Sequence, residues 1–139
     1  QMPASHPFNP LPLLRLAIAS NAPATGKANR YVCETIFRHV WQGGQDAGHV
    51  ERIKALAAQL SPAHDVQSEV VKNSLKNNTD DAITQGVFGV PTFVVDDKVF
   101  WGLDALPMLR DYLLGASWFQ TDGWKVAGQV GEGVSRIKS

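Results

Sequence analysis

The chain has 139 residues, with 13 basic and 13 acidic side chains, and 44% of its residues are hydrophobic. That length and apolar fraction are sufficient for one domain with a core of its own. The balanced charge argues against a nucleic-acid partner, and no apolar run is long enough to cross a bilayer. The single cysteine, Cys33, excludes an internal disulfide and a Cys-x-x-Cys pair, which favours a reducing compartment, the cytoplasm.

The first part of the chain predicts helices only. Asn9 and Pro10 indicate a helix start, because asparagine caps helices and proline fits the first turn. Apolar residues at helical spacing predict further helices at about 27–41 and 47–60. A longer helical stretch follows up to about Gln85, with a break expected at Asn77-Asn78-Thr79. These segments form a predicted all-helical domain over residues 1–85.

The segment after the helices is the most informative part of the sequence. Val90 and Pro91 precede a strand predicted at Thr92–Val95, and a turn at Asp96-Asp97-Lys98 leads to a second strand at Val99–Trp101. Proline lacks the N–H that a sheet ladder needs, so at a strand start it leaves one side of the backbone open. A cis Val90–Pro91 bond, which is uncommon, would direct the N–H and C=O of Val90 into a cleft. There they could pair with a peptide-like ligand.

The order of the elements predicts the fold class. Asp104 is expected to cap a last helix that follows the hairpin. Because two strands alone are marginally stable, we expect further strands from a segment upstream of Gln1 in the same domain, or from another chain. The prediction is an α/β fold in which residues 86–115 are the C-terminal β-β-α half of a thioredoxin-like domain. The helical domain would be inserted before that half, and residues 116–139 would be a tail packing on the surface.

The chain also resembles a known family, the 2-hydroxychromene-2-carboxylate isomerases, which belong with the kappa-class glutathione transferases and are related to the DsbA-like oxidoreductases. The segments that carry this resemblance are Gly86–Phe93, Phe100–Asp104, Phe8-Asn9, Phe37–Trp41 and Asn77–Ala82. It extends over essentially the whole chain. Its most specific part is the combination of Val-Pro-Thr with Trp-Gly-x-Asp.

The resemblance implies a glutathione-dependent cis–trans isomerisation in the breakdown of aromatic compounds. Glutathione and a small aromatic carboxylate would be the ligands. The family's activating serine would lie upstream of Gln1, so no catalytic residue is expected in this chain. The Val90 backbone, held open by Pro91, would bind the cysteinyl part of glutathione. Asp104, with the N–H groups of Leu103 and Asp104, would bind the γ-glutamyl end.

Asn9, Trp41 and Trp101 are the candidates for contacts with the aromatic substrate. Each has a structural alternative, because Asn9 can act as a helix cap and tryptophans commonly serve in core packing. Cys33 lies on the apolar stripe of its helix and is expected to be a buried, inert thiol. The histidines are dispersed without metal-ligand spacing, so we expect no metal site.

The glutathione-site residues have structural alternatives as well. Val90 would simply be a core residue beside the proline, and Asp104 would be an ordinary helix cap. Two other functions also stay open. One is a DsbA-like thiol–disulfide oxidoreductase, which needs a Cys-x-x-Cys on an upstream helix. The other is a non-catalytic thioredoxin-fold binding module whose cleft near Pro91 receives a peptide or a partner strand. The apolar hairpin edges and the aromatic tail are compatible with a homodimer.

Overall fold

The computed structural model describes residues 1–21 and 27–127. The contacts divide the chain between Ala82 and Ile83 into two compact units. We call the first the helical unit and the second, which contains both strands, the hairpin unit. Of the predicted tail at 116–139, residues 128–139 lie outside the described residues.

The helical unit is built from the predicted helices, whose bounds are α1 Leu11–Ala19, α2 Arg30–Trp41, α3 Val50–Leu60 and α4 Glu69–Thr84. Helix α2 begins three residues later than predicted because Asn29 caps it, its side chain accepting the N–H of Val32 at 3.0 Å. Helix α3 likewise begins at Val50 rather than near Ala47, which is buried in the preceding loop.

The break expected in the last of these helices is absent. Helix α4 runs without interruption through Asn77 and Asn78. The Thr79 hydroxyl donates to the carbonyl of Leu75, one turn earlier, at 3.0 Å. This local bond satisfies the hydroxyl inside the helix, so threonine does not have to end it. The prediction of a break rested on Thr79 and the two aspartates after it resembling a new helix start, and it was wrong.

Aliphatic side chains form the core of the helical unit. The larger cluster of buried residues comprises Leu13, Leu16, Val32, Val40, Ala47, Leu56 and Leu60. A smaller cluster joins Ile18 and Ala19 of α1 to Val71 of α4. Helix α1 therefore contributes to both clusters, which explains why four of its nine residues are buried.

The hairpin unit contains two antiparallel strands, β1 at Thr92–Val95 and β2 at Lys98–Trp101. Strand β1 matches its predicted bounds. Strand β2 begins one residue earlier than predicted, because Lys98 pairs with Val95 and leaves a two-residue turn. The first residue of that turn, Asp96, has a φ of +55°, a conformation that aspartate tolerates better than most residues.

Short helical elements complete this unit. They are a 3₁₀ turn at Leu103–Ala105, helix α5 at Leu106–Leu113, a second 3₁₀ turn at Ser117–Gln120 and helix α6 at Asp122–Ala127. Phe100 of β2 is 1% exposed, and its ring lies 5.6–6.3 Å from the rings of Tyr112, Phe119 and Trp124. The core of the hairpin unit is therefore largely aromatic. Among the helices at residues 1–21 and 27–127, none combines the length and apolar character that a bilayer crossing requires.

Candidate functional site at the open end of the hairpin

The four residues predicted to bind glutathione lie at one end of the hairpin, where β1 begins and β2 ends. Thr92 pairs with Trp101 across the strands, and the Gly102 N–H donates to the Pro91 carbonyl at 2.9 Å. These two links bring the Val90–Pro91 segment beside the segment that starts at Leu103. We call this region the open end of the hairpin.

Val90 presents its backbone at this end. The Val90–Pro91 bond is cis, and the Val90 side chain is 88% exposed. Within the described part of the chain, the N–H and C=O of Val90 make no hydrogen bond. The alternative interpretation of Val90 as a core residue is therefore wrong. Its backbone donor and acceptor are accessible to a ligand.

Asp104 supplies an exposed carboxylate next to this backbone. It lies inside the 3₁₀ turn and makes no capping hydrogen bond, and Ala105 is the residue that precedes α5. The prediction that Asp104 caps the last helix was wrong, because the chain first makes a 3₁₀ turn. No described residue accepts a hydrogen bond from the N–H of Leu103 or Asp104. The turn thus offers an anionic group and two backbone donors side by side.

Gly102 allows this arrangement in two ways. Its φ of +88° lies in a region that side chains disfavour. A Cβ at this position would also lie 2.8 Å from the Asp104 Oδ1 atom. Any larger residue would therefore displace the carboxylate or the turn.

Two aromatic rings lie in contact with each other at this end of the hairpin. Phe88 and Trp101 are 74% and 53% exposed, and their ring centroids are 5.0 Å apart. Gly89 lies against the nitrogen of the indole, since a Cβ there would be 2.5 Å from Trp101 Nε1. The Thr92 hydroxyl donates to the Gly89 carbonyl at 2.6 Å and fixes this segment. The sequence prediction included Trp101 but missed Phe88, although its position two residues before Val90 was a usable signal.

The opposite end of the hairpin carries charged groups that shift one another's pKa. The Tyr112 hydroxyl donates to the Asp96 carboxylate, and this bond raises the pKa of Tyr112. The Lys98 ammonium donates to Asp97 at 2.8 Å, which lowers the pKa of Asp97 and raises that of Lys98. Lys98 also lies 5.2 Å from the centre of the Tyr112 ring. These contacts hold the turn together, and none of their groups belongs to the open end.

The other two predicted substrate residues belong to the helical unit. Asn9 accepts the N–H of Leu11 at 3.1 Å, so it does act at the start of α1. Trp41 is 42% exposed and lines an apolar cavity of about 390 Å³. The described lining of that cavity includes Pro10 and Cys33 but not Asn9. Cys33 is half-buried rather than fully buried, with its sulfur 3.9 Å from a backbone carbonyl.

The open end of the hairpin is suited to binding rather than to acid–base chemistry. It offers a backbone donor and acceptor, a carboxylate and two aromatic rings. Thr92 carries a hydroxyl near these groups, but the carbonyl of Gly89 already accepts its proton. Across residues 1–21 and 27–127, no three His, Cys, Asp or Glu side chains are grouped so as to hold a metal ion.

Comparison with known proteins gives one family match. The model of the DSBA-like thioredoxin domain matches residues 2–114 of this chain. That range includes the helices of the helical unit, both strands and all four residues predicted to bind glutathione. No solved structure matches the chain significantly.

Three curated proteins are similar to parts of the chain. A 2-hydroxychromene-2-carboxylate isomerase of Sphingobium xenophagum is 30% identical over 83 residues, which are 56% of this chain and 43% of that protein. A protein of the same name from Pseudomonas sp. (strain C18) is 32% identical over 99 residues, 67% of this chain and 46% of its own length. Glutathione S-transferase kappa 1 of Rattus norvegicus is 29% identical over 99 residues, 63% of this chain and 43% of its own length. The chain thus spans less than half the length of each.

Proposed function

This chain belongs to the DSBA-like thioredoxin domain family, and we propose that it is part of a glutathione-dependent cis–trans isomerase. Its substrate would be an aromatic-degradation intermediate of the 2-hydroxychromene-2-carboxylate type. Two of the similar proteins carry that isomerase name, and the third is named as a glutathione transferase. We propose further that the enzyme works in the cytoplasm, as its single cysteine favours.

The observation that carries this proposal is the hydrogen bond from Gly102 to the Pro91 carbonyl, which brings the exposed Val90 backbone beside Asp104. Glutathione is a short peptide with an amide donor and acceptor of its own. These groups can pair with the N–H and C=O of Val90, as an extended peptide pairs with the backbone of a strand. The ammonium group at its other end would form a charge-assisted hydrogen bond with Asp104.

The glutamyl carboxylate has partners in the same turn. The N–H groups of Leu103 and Asp104 are the backbone donors available to it. A ligand with a positive and a negative group on neighbouring atoms therefore meets a carboxylate and two N–H donors on neighbouring residues. This match favours an amino-acid-like end group over a simple anion, because Asp104 would repel an anion alone.

When bound, glutathione supplies a thiolate that adds reversibly to the unsaturated substrate, so that the bond can rotate before the thiolate leaves. Trp101 would contact the flat substrate beside the thiol, and Phe88 would support Trp101. Since the Thr92 hydroxyl is engaged by Gly89, we propose that the group activating the thiol belongs to a part of the protein outside this chain. This chain would bind and orient both reactants.

The test is the affinity for glutathione, measured by calorimetry on the protein and on its Asp104→Ala variant. A hydrogen bond to a charged group contributes about 1.5–3 kcal/mol, so we expect the affinity to fall by about tenfold or more. Asp111→Ala is the matched control, because Asp111 is also an exposed aspartate and pairs with Arg110 in α5. Equal affinities of the Asp104 variant and the unmodified protein would contradict the proposed site.

The family match also favours a second function, a DsbA-like thiol–disulfide oxidoreductase. This reaction needs two cysteines, and the chain has only Cys33, in the helical unit. A Cys-x-x-Cys elsewhere in the protein and reduction of insulin disulfides would favour the oxidoreductase. Capture of a polypeptide, with neither glutathione binding nor redox activity, would favour a non-catalytic binding module.

A further inference from the structure

A polar cleft of about 300 Å³ lies between α2 and α3 of the helical unit. Helix α2 contributes Thr35, Arg38 and His39, whose spacing of three and four residues places them on one helix face. Helix α3 contributes Arg52 and Gln59, whose spacing of seven residues also keeps them on one face. We call this region the α2–α3 cleft. None of its described lining residues belongs to the proposed glutathione site.

Arg52 brings a positive charge to the cleft that no described carboxylate neutralises. Its guanidinium donates to the backbone carbonyls of Asp46 and His39, to the second at 2.8 Å. These bonds hold the group in position but leave its charge in place, because carbonyls are neutral. The described ion pairs do not include Arg52. A guanidinium also has more N–H donors than these two bonds use, so the others can donate to a ligand.

Arg38 adds a second guanidinium, and its partner is weakly held. The Glu34 Oε2 atom is 3.7 Å from Arg38 Nη2, whereas Glu34 Oε1 is 2.5 Å from Arg30 Nε. One carboxylate is therefore shared between two arginines. Because the Arg38 side chain is 67% exposed, it can turn toward a ligand without disturbing the core. The cleft thus presents two positive charges, and its described lining contains no acidic residue.

The hydroxyl of Thr35 points to a ligand independently of these charges. Thr35 lines the cleft and is 9% exposed, and its hydroxyl makes no hydrogen bond with a described residue. In the described structure, the fully buried side-chain atoms without a partner are Arg15 Nε and His64 Nε2, so the Thr35 hydroxyl is accessible. Polar groups this deep in a protein normally have a partner. In the cleft that partner is water or a ligand with an acceptor oxygen.

These donors match a phosphate group better than a carboxylate. Arginine pairs with either group through parallel hydrogen bonds. A phosphate monoester carries about two negative charges near neutral pH and has three acceptor oxygens. A carboxylate has a single charge, and its oxygens lie in one plane. Phosphate oxygens can therefore accept from Arg38, Arg52 and Thr35 at the same time, which a carboxylate cannot do.

We propose that the α2–α3 cleft binds the phosphate group of a small phosphate monoester. An apolar cavity of roughly 150 Å³ holds a benzene ring, so about 300 Å³ has room for a phosphate and a few carbon atoms. Leu56, which is 4% exposed, gives the carbon atoms an apolar contact. Arg52 provides a fixed charge, Arg38 approaches from α2, and Thr35 donates to a phosphate oxygen.

Inorganic phosphate and glycerol 3-phosphate are the probes, titrated into the unmodified protein at constant ionic strength. Both should shift the NMR signals of the Nε–H groups of Arg38 and Arg52. Glycerol 3-phosphate should bind more tightly than inorganic phosphate, because its carbon chain contacts Leu56. Acetate should bind more weakly than either.

Thr35→Val keeps the shape of the side chain and removes the hydroxyl. The affinity for phosphate should fall about tenfold, because a hydrogen bond to a charged group is lost. The melting temperature without phosphate should hardly change, since the hydroxyl has no partner among the described residues. A purely structural role of Thr35 would give the opposite pattern.

Arg38→Gln is a second variant that leaves the core intact, because the side chain is mostly exposed. It should also weaken phosphate binding about tenfold. Arg110→Gln is its matched control, since Arg110 is an exposed arginine of α5 that is paired with Asp111. This control should leave the affinity unchanged.

Glu34→Gln should act in the other direction. It releases Arg38 from an exposed ion pair, so phosphate should bind about twofold more tightly. Glu69→Gln is the matched control, because Glu69 is paired with Lys72 in α4 and does not line the cleft. Its affinity for phosphate should equal that of the unmodified protein.

Several outcomes would overturn the proposal. Absence of phosphate binding, or equal affinities of the unmodified protein, Thr35→Val and Arg38→Gln, would show that the cleft is not a phosphate site. Acetate binding as tight as that of phosphate would assign the cleft to carboxylates. Tighter binding of inorganic phosphate than of glycerol 3-phosphate would exclude the monoester. All titrations are made without glutathione, so none of these results bears on Asp104.

Discussion

The two units of this protein bury their apolar side chains in different ways. The helical unit packs aliphatic residues from several helices, and Leu16 at its centre is 1% exposed. Among the described residues of the hairpin unit, Phe100 and Leu109 are the buried apolar side chains. Rings from α5 and the following segments cover Phe100. Large aromatic rings cover more area per residue, so a two-stranded hairpin can form a small core that aliphatic residues would leave open.

The exposed apolar residues of the two units also differ in what they border. In the helical unit, Phe37 and Trp41 lie at the rim of a cavity whose lining, among the described residues, carries no charge. In the hairpin unit, Phe88 and Trp101 lie at the same end of the hairpin as the unpaired Val90 backbone and the Asp104 carboxylate. The first arrangement suits an uncharged ring, and the second suits a peptide.

The largest expected effect is the loss of stability when the Phe100 ring is removed, which tests how far the hairpin unit depends on that residue. Phe100→Ala should cost about 3–5 kcal/mol, because it removes a fully buried ring and leaves a cavity. Amide hydrogen exchange should accelerate in β1, β2 and α5. Phe88→Ala is the control, since that ring is 74% exposed and its loss should change the stability little. Similar exchange in both variants would mean that the aromatic cluster does not stabilise the unit.

The helical unit should distribute its stability over more contacts. Leu16→Ala removes a side chain that is equally buried and should cost about 2–5 kcal/mol. We expect hydrogen exchange to accelerate mainly in α1, α2 and α3, whose residues share the cluster with Leu16. If only α1 were affected, the cluster would be less cooperative than its packing indicates.

A smaller effect tests the close contact between Gly89 and Trp101. Gly89→Ala should cost about 1–3 kcal/mol by overpacking, nearer the lower value because the half-exposed indole can move away. In a Trp101→Ala background the same substitution should cost almost nothing, since the three atoms closest to the added Cβ all belong to Trp101. Chemical denaturation of the four proteins measures this coupling.

Gly48→Ala is the control for this cycle. A Cβ at Gly48 would have Asp46 Oδ1 as its nearest neighbour, at 3.5 Å, which is an ordinary contact. An equal cost of Gly89→Ala with and without the indole would show that the backbone, rather than Trp101, requires glycine there.

The next smaller effect is also on stability, and it tests the side-chain cap of α2 in the helical unit. Asn29→Ala removes the side chain that caps α2 and should cost about 1 kcal/mol. Asn73→Ala, at an exposed position inside α4, should be neutral or slightly stabilising because alanine has the higher helix propensity. Thermal unfolding of both variants compares the same substitution at a cap and in a helix interior. Equal shifts in melting temperature would contradict the capping role.

The smallest effect is a pH dependence in the hairpin unit. The hydrogen bond to Asp96 raises the pKa of Tyr112 above its ordinary value of 10.0. A raised pKa means that this bond contributes fully below pH 10.0 and is lost as the pH rises through the value in the folded protein. Asp96→Asn should lower the pKa of Tyr112, measured by following its ring carbons in an NMR titration. An unchanged titration would show that the carboxylate is not the cause.

Local sequence signals predicted much of the fold. Asn9 was predicted at the start of α1, and its side chain accepts a backbone N–H group there. Asn29 does the same for α2, although the prediction began that helix at about Lys27. The run of β-forming residues after Pro91 gave the bounds of β1 without error. Such signals involve residues only a few positions apart, so they can be recognised in the sequence without the structure. The break at Thr79 was wrong because a hydroxyl can also bond one turn back inside a helix.

For the candidate site, the sequence predicted which residues take part but not how they are arranged. The sequence indicated Val90, Pro91 and Asp104, and the family resemblance connected them with glutathione. That Val90 is exposed, and that Asp104 lies in a 3₁₀ turn instead of capping a helix, is decided by the path of the folded backbone. Sequence periodicity carries no information about such a path.

The sequence by itself determined the order of the helices and strands up to α5, their approximate bounds and the family, because short-range hydrogen bonding and the spacing of apolar side chains decide these features. The tertiary structure alone decided which apolar residues remain exposed and what they enclose. Phe88 became part of the open end of the hairpin only when its ring came into contact with the Trp101 indole. Phe37 and Trp41 became the rim of a cavity only when three helices packed around it. Such arrangements depend on contacts between residues far apart in the chain, and no local pattern records them.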